Sequence, residues 1–107
     1  MSGKGSEALR RVLNHMIETI ENPVSLEVLA GKANLTKRTL NRLFLAELGM
    51  SPGRYYQFLR LSRARDLAAN TDLDQREIAL RSGFSSAAAL GKAFTGQFGY
   101  SIGKTRK

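Results

Sequence analysis

The strongest constraint on the fold of this 107-residue chain is an internal repeat, in which one helical pattern occurs twice. Each copy reads as a short capped helix, a turn of three or four residues, a longer capped helix and a closing glycine. The matching positions are Leu29-Ala30 and Ile78-Ala79, Leu35 and Phe84, Leu40 and Leu90, Phe44 and Phe94, and Gly49-Met50-Ser51 and Gly99-Tyr100-Ser101. The second copy has one extra residue between Phe84 and Leu90. This layout is typical of the helix-turn-helix, whose second helix enters the major groove of DNA.

Apolar spacing predicts two further helices, one before the repeat and one between its copies. The first runs from about Leu9 to Asn22, because the residue before Pro23 leaves the α region. The second starts at Ser51-Pro52 and ends near Ala69, since serine caps a helix and proline in the first turn loses no hydrogen bond. The apolar positions expected inside are Leu9, Val12, Leu13, Met16, Ile17 and Ile20, and then Tyr55, Phe58, Leu59, Leu61, Ala64, Leu67 and Ala68.

These patterns predict an all-α fold with two helix-turn-helix subdomains joined by a long central helix, because no alternating strand pattern competes. The predicted parts are residues 1–6 as a flexible leader, natural or left over from expression, residues 7–50 as the first subdomain, residues 51–70 as the linker helix and residues 71–107 as the second subdomain. Two similar units on a stiff spacer suit a protein whose units meet different segments of a groove.

The charge balance favours a polyanionic partner. Lys and Arg number 17 against 9 acidic residues, which gives a net charge of +8. Such a field attracts DNA, RNA or an anionic membrane, and charge alone does not choose among them. A membrane-surface protein needs bulky apolar faces turned to lipid, whereas here the two cores use those faces. An exposed sheet with stacking aromatic residues, common in RNA binders, is absent.

Several function classes find no support in the sequence. No stretch approaches the ~20 apolar residues of a membrane-spanning helix, and the N-terminus lacks a signal-peptide core, so we expect a cytoplasmic protein. The absence of cysteine excludes disulfides, thiolate zinc sites and a cysteine nucleophile. His15 is the only histidine, and no Ser-His-acid set, metal cluster or phosphate loop accompanies it. We therefore predict neither an enzyme nor a cofactor.

From about Leu9 to Arg106 the sequence resembles the AraC/XylS family of transcription regulators. The residues from Gly49 to Ala64 match the pattern G-x-S-P-x-x-Y-x-x-x-x-R-L-x-x-A. The second unit is similar to the family signature at Ile78-Ala79, Gly83-Phe84-Ser85-Ser86, Phe94 and Phe98-Gly99. The resemblance implies two helix-turn-helix subdomains bridged by one long helix, and binding to promoter DNA that alters transcription.

The resemblance also implies a place for such a domain in a longer protein. Many members carry it at the C-terminus, behind an N-terminal effector-sensing or dimerising domain. Pro23-Val24-Ser25-Leu26 and Arg54-Tyr55-Tyr56 are most similar to members whose N-terminal half resembles a DJ-1/PfpI amidotransferase-like domain. The acidic residues of the first helix, Glu7, Glu18 and Glu21, lie away from the expected DNA face. That surface is a candidate contact for RNA polymerase or for such an N-terminal domain.

The first unit presents the stronger base-reading pattern. Arg38, Asn41 and Arg42 are spaced i, i+3 and i+4, so they share one helix face, opposite the apolar positions. Arginine can bind guanine through two hydrogen bonds, and asparagine can pair with adenine in the same way. These positions match those that the family uses for base contact. The alternative is an ordinary solvated helix face.

The second unit departs from the family. An aromatic or polar residue is usual where Leu90 stands, an arginine where Lys92 stands, and a proline where Ile102 stands. Lys92 is the one long donor of this helix, and Ala88 can contact only a thymine methyl or admit the backbone closely. We therefore expect the first unit to supply most sequence discrimination and the second mainly affinity. The departure at Ile102 also makes a small terminal helix doubtful.

Phosphate contacts are expected where helices begin, because free N–H groups and the helix dipole favour anions there. The expected phosphate-binding residues are Ser25, Thr36 and Ser86 at helix N-termini and the cations Lys37 and Arg54, with Lys32, Arg81 and Lys104 as further cations. For each cation a solvated charge without a partner is the alternative. The two recognition helices are expected in successive major-groove segments, about 34 Å apart.

Overall fold

The computed structural model of the chain describes the backbone of residues 3–106 and the side chains of residues 7–106. The described residues form six α-helices and a closing 3-10 helix, with no β-strand among them. The helices are α1 (Gly3–Glu18), α2 (Leu26–Lys32), α3 (Lys37–Leu48), α4 (Pro52–Asn70), α5 (Gln75–Arg81) and α6 (Ala87–Phe98), followed by the 3-10 helix Ile102–Thr105. The predicted all-α fold class is confirmed. No described helix is both long enough and apolar enough to span a membrane.

The described residues divide into two units, residues 3–56 and residues 57–106. The boundary falls inside α4, the helix that the sequence predicts as a linker over residues 51–70. Pro52 and Tyr56 are buried in the first unit, and Leu61, Ala64 and Ala68 are buried in the second. The long helix therefore contributes to both cores.

The first core is built from one apolar stripe on α1 and the inner faces of three other helices. Its buried residues are Leu9, Val12, Met16, Ile20, Leu29, Ala30, Ala33, Leu40, Phe44, Pro52 and Tyr56. Ile17, predicted inside, is 57% exposed. It follows Met16 by about 100° around the helix, outside the stripe that Leu9, Val12 and Met16 form. The buried stripe is thus narrower than the sequence pattern predicted.

Helix α1 differs from the predicted first helix at both ends. It begins at Gly3, so residues 3–6 of the predicted leader have helical backbone. At the other end it stops at Glu18 rather than near Asn22. There the Thr19 hydroxyl donates to the carbonyl of His15 at 2.7 Å, a side-chain bond that competes with helix continuation.

The second core repeats the first at its matched positions. Its buried cluster consists of Leu61, Ala64, Ala68, Ile78, Ala79, Phe84, Leu90, Phe94 and Ile102. Leu40 and Leu90 are both fully buried, as are Phe44 and Phe94. The internal repeat is therefore a repeat of core packing. Leu90, which departs from the family pattern, lies in this core and not on the exposed face of α6.

The terminal 3-10 helix is present although proline is absent from its start. Ile102 is buried against α6, as expected for an apolar residue at the position that Pro52 occupies in the first unit. The guanidinium of Arg106 donates to the carbonyl oxygens of Thr71 and Leu73. These two hydrogen bonds attach the segment after the 3-10 helix to the segment before α5. Apolar burial thus replaces the proline that the family pattern has here.

Tyr56 is the core residue that sequence reasoning missed. It is 4% exposed, whereas the predicted Tyr55 is half-buried. Its hydroxyl lies 2.5 Å from the Thr19 hydroxyl and accepts the Val24 N–H at 3.0 Å. These bonds attach α4 to the connection between α1 and α2. The i, i+4 spacing from the buried Pro52 was the signal available in the sequence.

We expect Tyr56→Phe to lower the free energy of unfolding by about 1–3 kcal/mol, because it leaves the Val24 N–H without its acceptor and removes the bond between the Tyr56 and Thr19 hydroxyls. Urea unfolding followed by circular dichroism measures the change. Tyr55→Phe is the matched control, since the Tyr55 hydroxyl has no hydrogen-bond partner among the described residues, and we expect a change within about 0.5 kcal/mol. Equal effects of the two variants would contradict the assigned role of Tyr56.

Candidate nucleic-acid interface

The same backbone turn precedes the second helix of each unit. In the first unit the Leu35 N–H donates to the Ala30 carbonyl at 2.9 Å, and Asn34 has a left-handed φ of 57°. In the second, the Phe84 N–H donates to the Ala79 carbonyl at 2.9 Å. This bond pattern is the Schellman motif, in which a left-handed residue ends the first helix. It ends α2 and α5 in the same way, and α6 then begins one residue later after the turn than α3 does.

All three predicted capping residues lie at helix N-caps. The Ser25, Thr36 and Ser86 hydroxyl oxygens accept the backbone N–H three residues on, at 3.2, 3.1 and 3.0 Å. The side-chain oxygen thus satisfies one of the first-turn N–H groups in α2, α3 and α6. The other N–H groups of each first turn have no partner within the helix, so they can donate to an anion.

The predicted base-reading residues of the first unit share an exposed face of α3. Arg38, Asn41 and Arg42 are exposed, while Leu40 and Phe44 on the opposite side are fully buried. Neither arginine forms an ion pair with another described residue. Both guanidinium groups are therefore available to a partner.

Two parts of this face were missed by sequence reasoning. Leu45 is 50% exposed on the same face, seven residues after Arg38. A surface depression of about 300 Å³ lies at the foot of α3, lined by Leu26, Lys37, Arg38, Asn41 and Pro52. The structure thus brings Arg38, Asn41 and Lys37 together around one depression, and Arg42 lies outside its lining.

Lys37 is the one predicted phosphate-binding cation here with an acidic partner. Its Nζ lies 3.3 Å from Oε2 of Glu27. The backbone N–H of Glu27 itself, and after it Lys37, hold the pKa of the Glu27 carboxyl below its usual range. Both side chains are exposed, so the pair is an ordinary surface ion pair. Part of the Lys37 charge is nevertheless neutralised in the free protein.

The corresponding face of α6 has few side chains that can form hydrogen bonds. Ala88 and Lys92 are exposed, and Lys92 forms no ion pair with a described residue. Ser86 and Ala88 lie together along a surface depression of about 510 Å³, which Arg76, Leu80, Ser85 and Ala87 also line. Lys92 is outside this lining. The structure thus places Ser86 and Ala88 side by side but leaves Lys92 apart from them.

Arg76 is a cation that sequence reasoning missed. It is exposed beside Ser86, and the register of the repeat pairs it with Glu27 of the first unit. The charge at this position is therefore reversed between the units. This charge reversal in the aligned repeat was the signal in the sequence that could have identified Arg76.

The remaining predicted cations differ in their availability. Arg54 is exposed in the first turn of α4, where its backbone N–H donates to the Ser51 hydroxyl at 3.3 Å. Lys32 and Lys104 are also exposed. Arg81 lies 3.6 Å from Glu77, so its charge already has a partner. The sequence did not distinguish Arg81 from the others.

The acidic surface predicted on α1 is partly neutralised. Glu7 forms two hydrogen bonds of 2.7 Å with Arg10, which lower the pKa of its carboxyl, and Arg11 lies 3.7 Å away. Glu18 lies 3.6 Å from Nδ1 of His15. Among the residues that the structure describes, no group of three or more His, Asp or Glu side chains could hold a metal ion.

Comparison with known proteins identifies the family of this chain. The helix-turn-helix domain family matches residues 29–107. The HTH-type transcriptional regulator GbdR of Pseudomonas aeruginosa is 37% identical over 99 residues, which are 92% of this chain. A crystal structure of an AraC-type DNA-binding transcriptional regulator from Chromobacterium violaceum is 31% identical and superimposes with a TM-score of 0.89, covering 98% of this chain and 94% of that one. The chain belongs to the AraC family of helix-turn-helix regulators.

Two further relatives extend the comparison for this AraC-family chain. The DNA-binding domain of AdpA, described as a global transcriptional factor, was solved in complex with a target DNA. It is 30% identical, with a TM-score of 0.84 and coverage of 91% of this chain and 87% of that one. The regulator CdhR of Pseudomonas aeruginosa is 32% identical over 104 residues, 97% of this chain. The chain spans 27% of the length of GbdR and 31% of that of CdhR.

The comparisons confirm the predicted family. The curated relatives are transcriptional regulators, which agrees with the prediction of a regulator and not an enzyme. The base-reading and phosphate-binding roles of individual residues remain predictions.

The left-handed turn of the second unit supplies a test of how the recognition helix is positioned. We expect Gly83→Ala to lower the free energy of unfolding by about 1–2 kcal/mol, because Gly83 has a φ of 83°, where a β-carbon is strained. Thermal and urea unfolding measure the effect.

Gly96→Ala is the matched control for the turn substitution. Gly96 lies inside α6 with no other atom within 4 Å of an added β-carbon. Alanine should raise stability there by about 0.5–1 kcal/mol, since it favours the helix more than glycine does. A Gly83→Ala protein as stable as the wild type would show that the turn imposes no strain.

Proposed function

We propose that this AraC-family domain binds double-stranded promoter DNA in a sequence-specific manner and regulates transcription. The observation that carries the proposal is the exposed trio Arg38, Asn41 and Arg42 on the second helix of a helix-turn-helix unit. Three features support it: the helix has its apolar side buried, the trio's arginines have no acidic partner among the described residues, and the net charge is +8. A field of this sign steers the chain to a polyanion, and the trio provides the donors that distinguish bases.

Base recognition is proposed to centre on α3. The guanidinium groups of Arg38 and Arg42 each present two parallel N–H donors, which match O6 and N7 of guanine. The amide of Asn41 has one donor and one acceptor, which match N7 and N6 of adenine. Because the three side chains occupy adjacent turns of one face, they would meet consecutive base pairs.

The second unit is proposed to add affinity more than discrimination. Ala88 offers only a methyl group, which suits a thymine methyl, and its small size lets the helix backbone approach the groove closely. Lys92 is a flexible point charge, and its three rotatable donors discriminate less than a planar guanidinium. The pair therefore favours close approach and attraction over readout.

Phosphate groups are proposed to bind at the starts of α2, α3 and α6, next to Ser25, Thr36 and Ser86. There the first-turn N–H groups and the helix dipole favour an anion. Lys37 and Arg54 are proposed as added cations. On binding, a phosphate would compete with Glu27 for Lys37, which weakens the existing surface pair at small cost.

The wider partners of the chain are also proposals. The two recognition helices would occupy successive major-groove segments, so one chain would cover an asymmetric site of about two helical turns. RNA polymerase and an N-terminal effector or dimerisation domain, of the DJ-1/PfpI-like kind, are the proposed protein partners, and the cytoplasm is the proposed location. The greater length of the relatives GbdR and CdhR supports further domains in proteins of this kind.

Selection of bound duplexes from a random pool tests the proposed function. We expect an enriched motif of two sequence blocks whose centres lie about 10 base pairs apart. We also expect the affinity to fall steeply with salt concentration, because each neutralised phosphate releases counterions. No enrichment over the starting pool, or binding to RNA or anionic vesicles in place of duplex DNA, would overturn the proposal.

Substitutions at the two faces test the predicted asymmetry. Arg38→Ala and Arg42→Ala should each lose about 1–3 kcal/mol of discrimination at one base position. Lys92→Ala should weaken binding to all sequences about equally and reduce the salt slope by about 1. Equilibrium binding to the selected duplex and to its single-base variants, at several salt concentrations, measures both effects.

Arg11→Ala is the matched control for loss of one positive charge, because Arg11 is exposed on α1, away from both recognition helices in sequence. We expect no change in base preference from it. If Lys92→Ala alters base preference more than either arginine substitution, the asymmetry between the units is reversed.

A further inference from the structure

The two units place an amide group on different helices. In the first unit the amide is that of Asn41 on α3. The apolar residue Leu26, at the start of α2, lines the same surface depression as Asn41. In the second unit the register of the repeat puts Gly91 at the position of Asn41 and Gln75 at the position of Leu26. The second unit thus has no amide at this position of α6, and carries one instead at the start of α5.

The side chain of Gln75 extends to the place that Gly91 leaves open. A β-carbon built on Gly91 would lie 3.3 Å from Nε2 of Gln75, closer than side chains usually pack. The amide of Gln75 therefore lies within contact distance of the point where the side chain of Asn41 starts in the first unit. Glycine at position 91 keeps that space free.

The orientation of the Gln75 amide is determined by its hydrogen bond. Nε2 donates to the carbonyl oxygen of Ala87 at 3.2 Å, and the amide oxygen could not take this place because two acceptors repel. The bond uses one of the two N–H groups. The second N–H and Oε1 have no hydrogen-bond partner among the described residues.

From this geometry we infer that Gln75 is a base-reading residue of the second unit, in which an amide from α5 takes the role that Asn41 has on α3. The inference rests on the proposed DNA binding of this chain. The free N–H and Oε1 of Gln75 are the donor and acceptor needed to pair with N7 and N6 of adenine. The bare surface of α6 at Ala88 and Gly91 lets a base edge come close enough to reach them.

Because of its hydrogen bond to Ala87, the Gln75 amide is better suited than the Lys92 ammonium group to distinguish between bases. An amide held by one hydrogen bond loses less side-chain freedom on binding than the four-carbon chain of lysine. Its planar donor and acceptor also have a fixed direction, whereas an ammonium group does not. Sequence discrimination in the second unit thus comes from the helix behind the recognition helix.

The test compares Gln75→Met with the wild type on the duplex selected by the wild-type chain and on variants of each base pair in the second half-site. Methionine keeps the length of the side chain and removes the amide. We expect discrimination at one adenine position to fall by about tenfold, with little change at other positions. The Tm should stay within a few degrees, since only one surface-proximal hydrogen bond is lost.

Gln97→Met is the matched control, because Gln97 is exposed in the last turn of α6. It should leave every base preference unchanged. A Gln75→Met protein with wild-type preferences would overturn the inference. So would a uniform loss of affinity for all duplexes, because Gln75 would then act only by holding α5 to α6.

A second variant covers the case in which Gln75→Met is poorly folded. Gln75→Leu combined with Gly91→Asn installs in the second unit the pair that the first unit has. We expect this double variant to regain preference for adenine at the same position, and failure to regain it would overturn the inference. If the wild type selects no duplex at all, the proposed function is wrong. If the wild type selects a duplex and its base preferences do not depend on Gln75, only the base-reading role of Gln75 is wrong.

Discussion

The hydrogen bond that crosses each turn, from the N–H of Leu35 to Ala30 and from that of Phe84 to Ala79, is the constraint on which the rest of each unit depends. It closes the short first helix and directs the chain into the second. Because a left-handed residue precedes the donor, the direction changes within two residues. Leu40 follows Leu35 by five residues and Leu90 follows Phe84 by six, and both are fully buried in the core of their unit. Because the inner face of α3 or α6 is buried in this way, the residues that each helix exposes on its outer face are determined as well.

The two units share their interiors and differ on their surfaces. Buried positions have the same or similar residues in both copies, as at Phe44 and Phe94, because a core tolerates little change in volume. Exposed positions are unlike: arginine at position 38 corresponds to alanine at 88. A surface residue has few packing constraints, so the same scaffold can carry a face rich in long donors in one unit and a bare face in the other.

The parts of the fold that follow local rules could be predicted from the sequence. The caps at Ser25, Thr36 and Ser86 are where they were expected, because capping depends on residues within one turn of the helix. The buried role of Tyr56 could not be predicted in this way. It depends on Thr19 and Val24, more than thirty residues away in the chain. The exposure of Ile17 was also missed, since the pattern shows that a residue is apolar but not how wide a stripe its neighbours cover.

The helical period, the caps, the repeat and the outward spacing of Arg38, Asn41 and Arg42 could be predicted from the order of the residues alone, because each depends on contacts within a few residues. The packing of the helices was needed to show that α4 contributes to both cores, that Lys37 is paired with Glu27, and that the amide of Gln75 lies next to Gly91. These facts join residues on different helices. They follow from how the helices pack, and packing depends on the shape of the whole unit rather than on any short stretch of the chain.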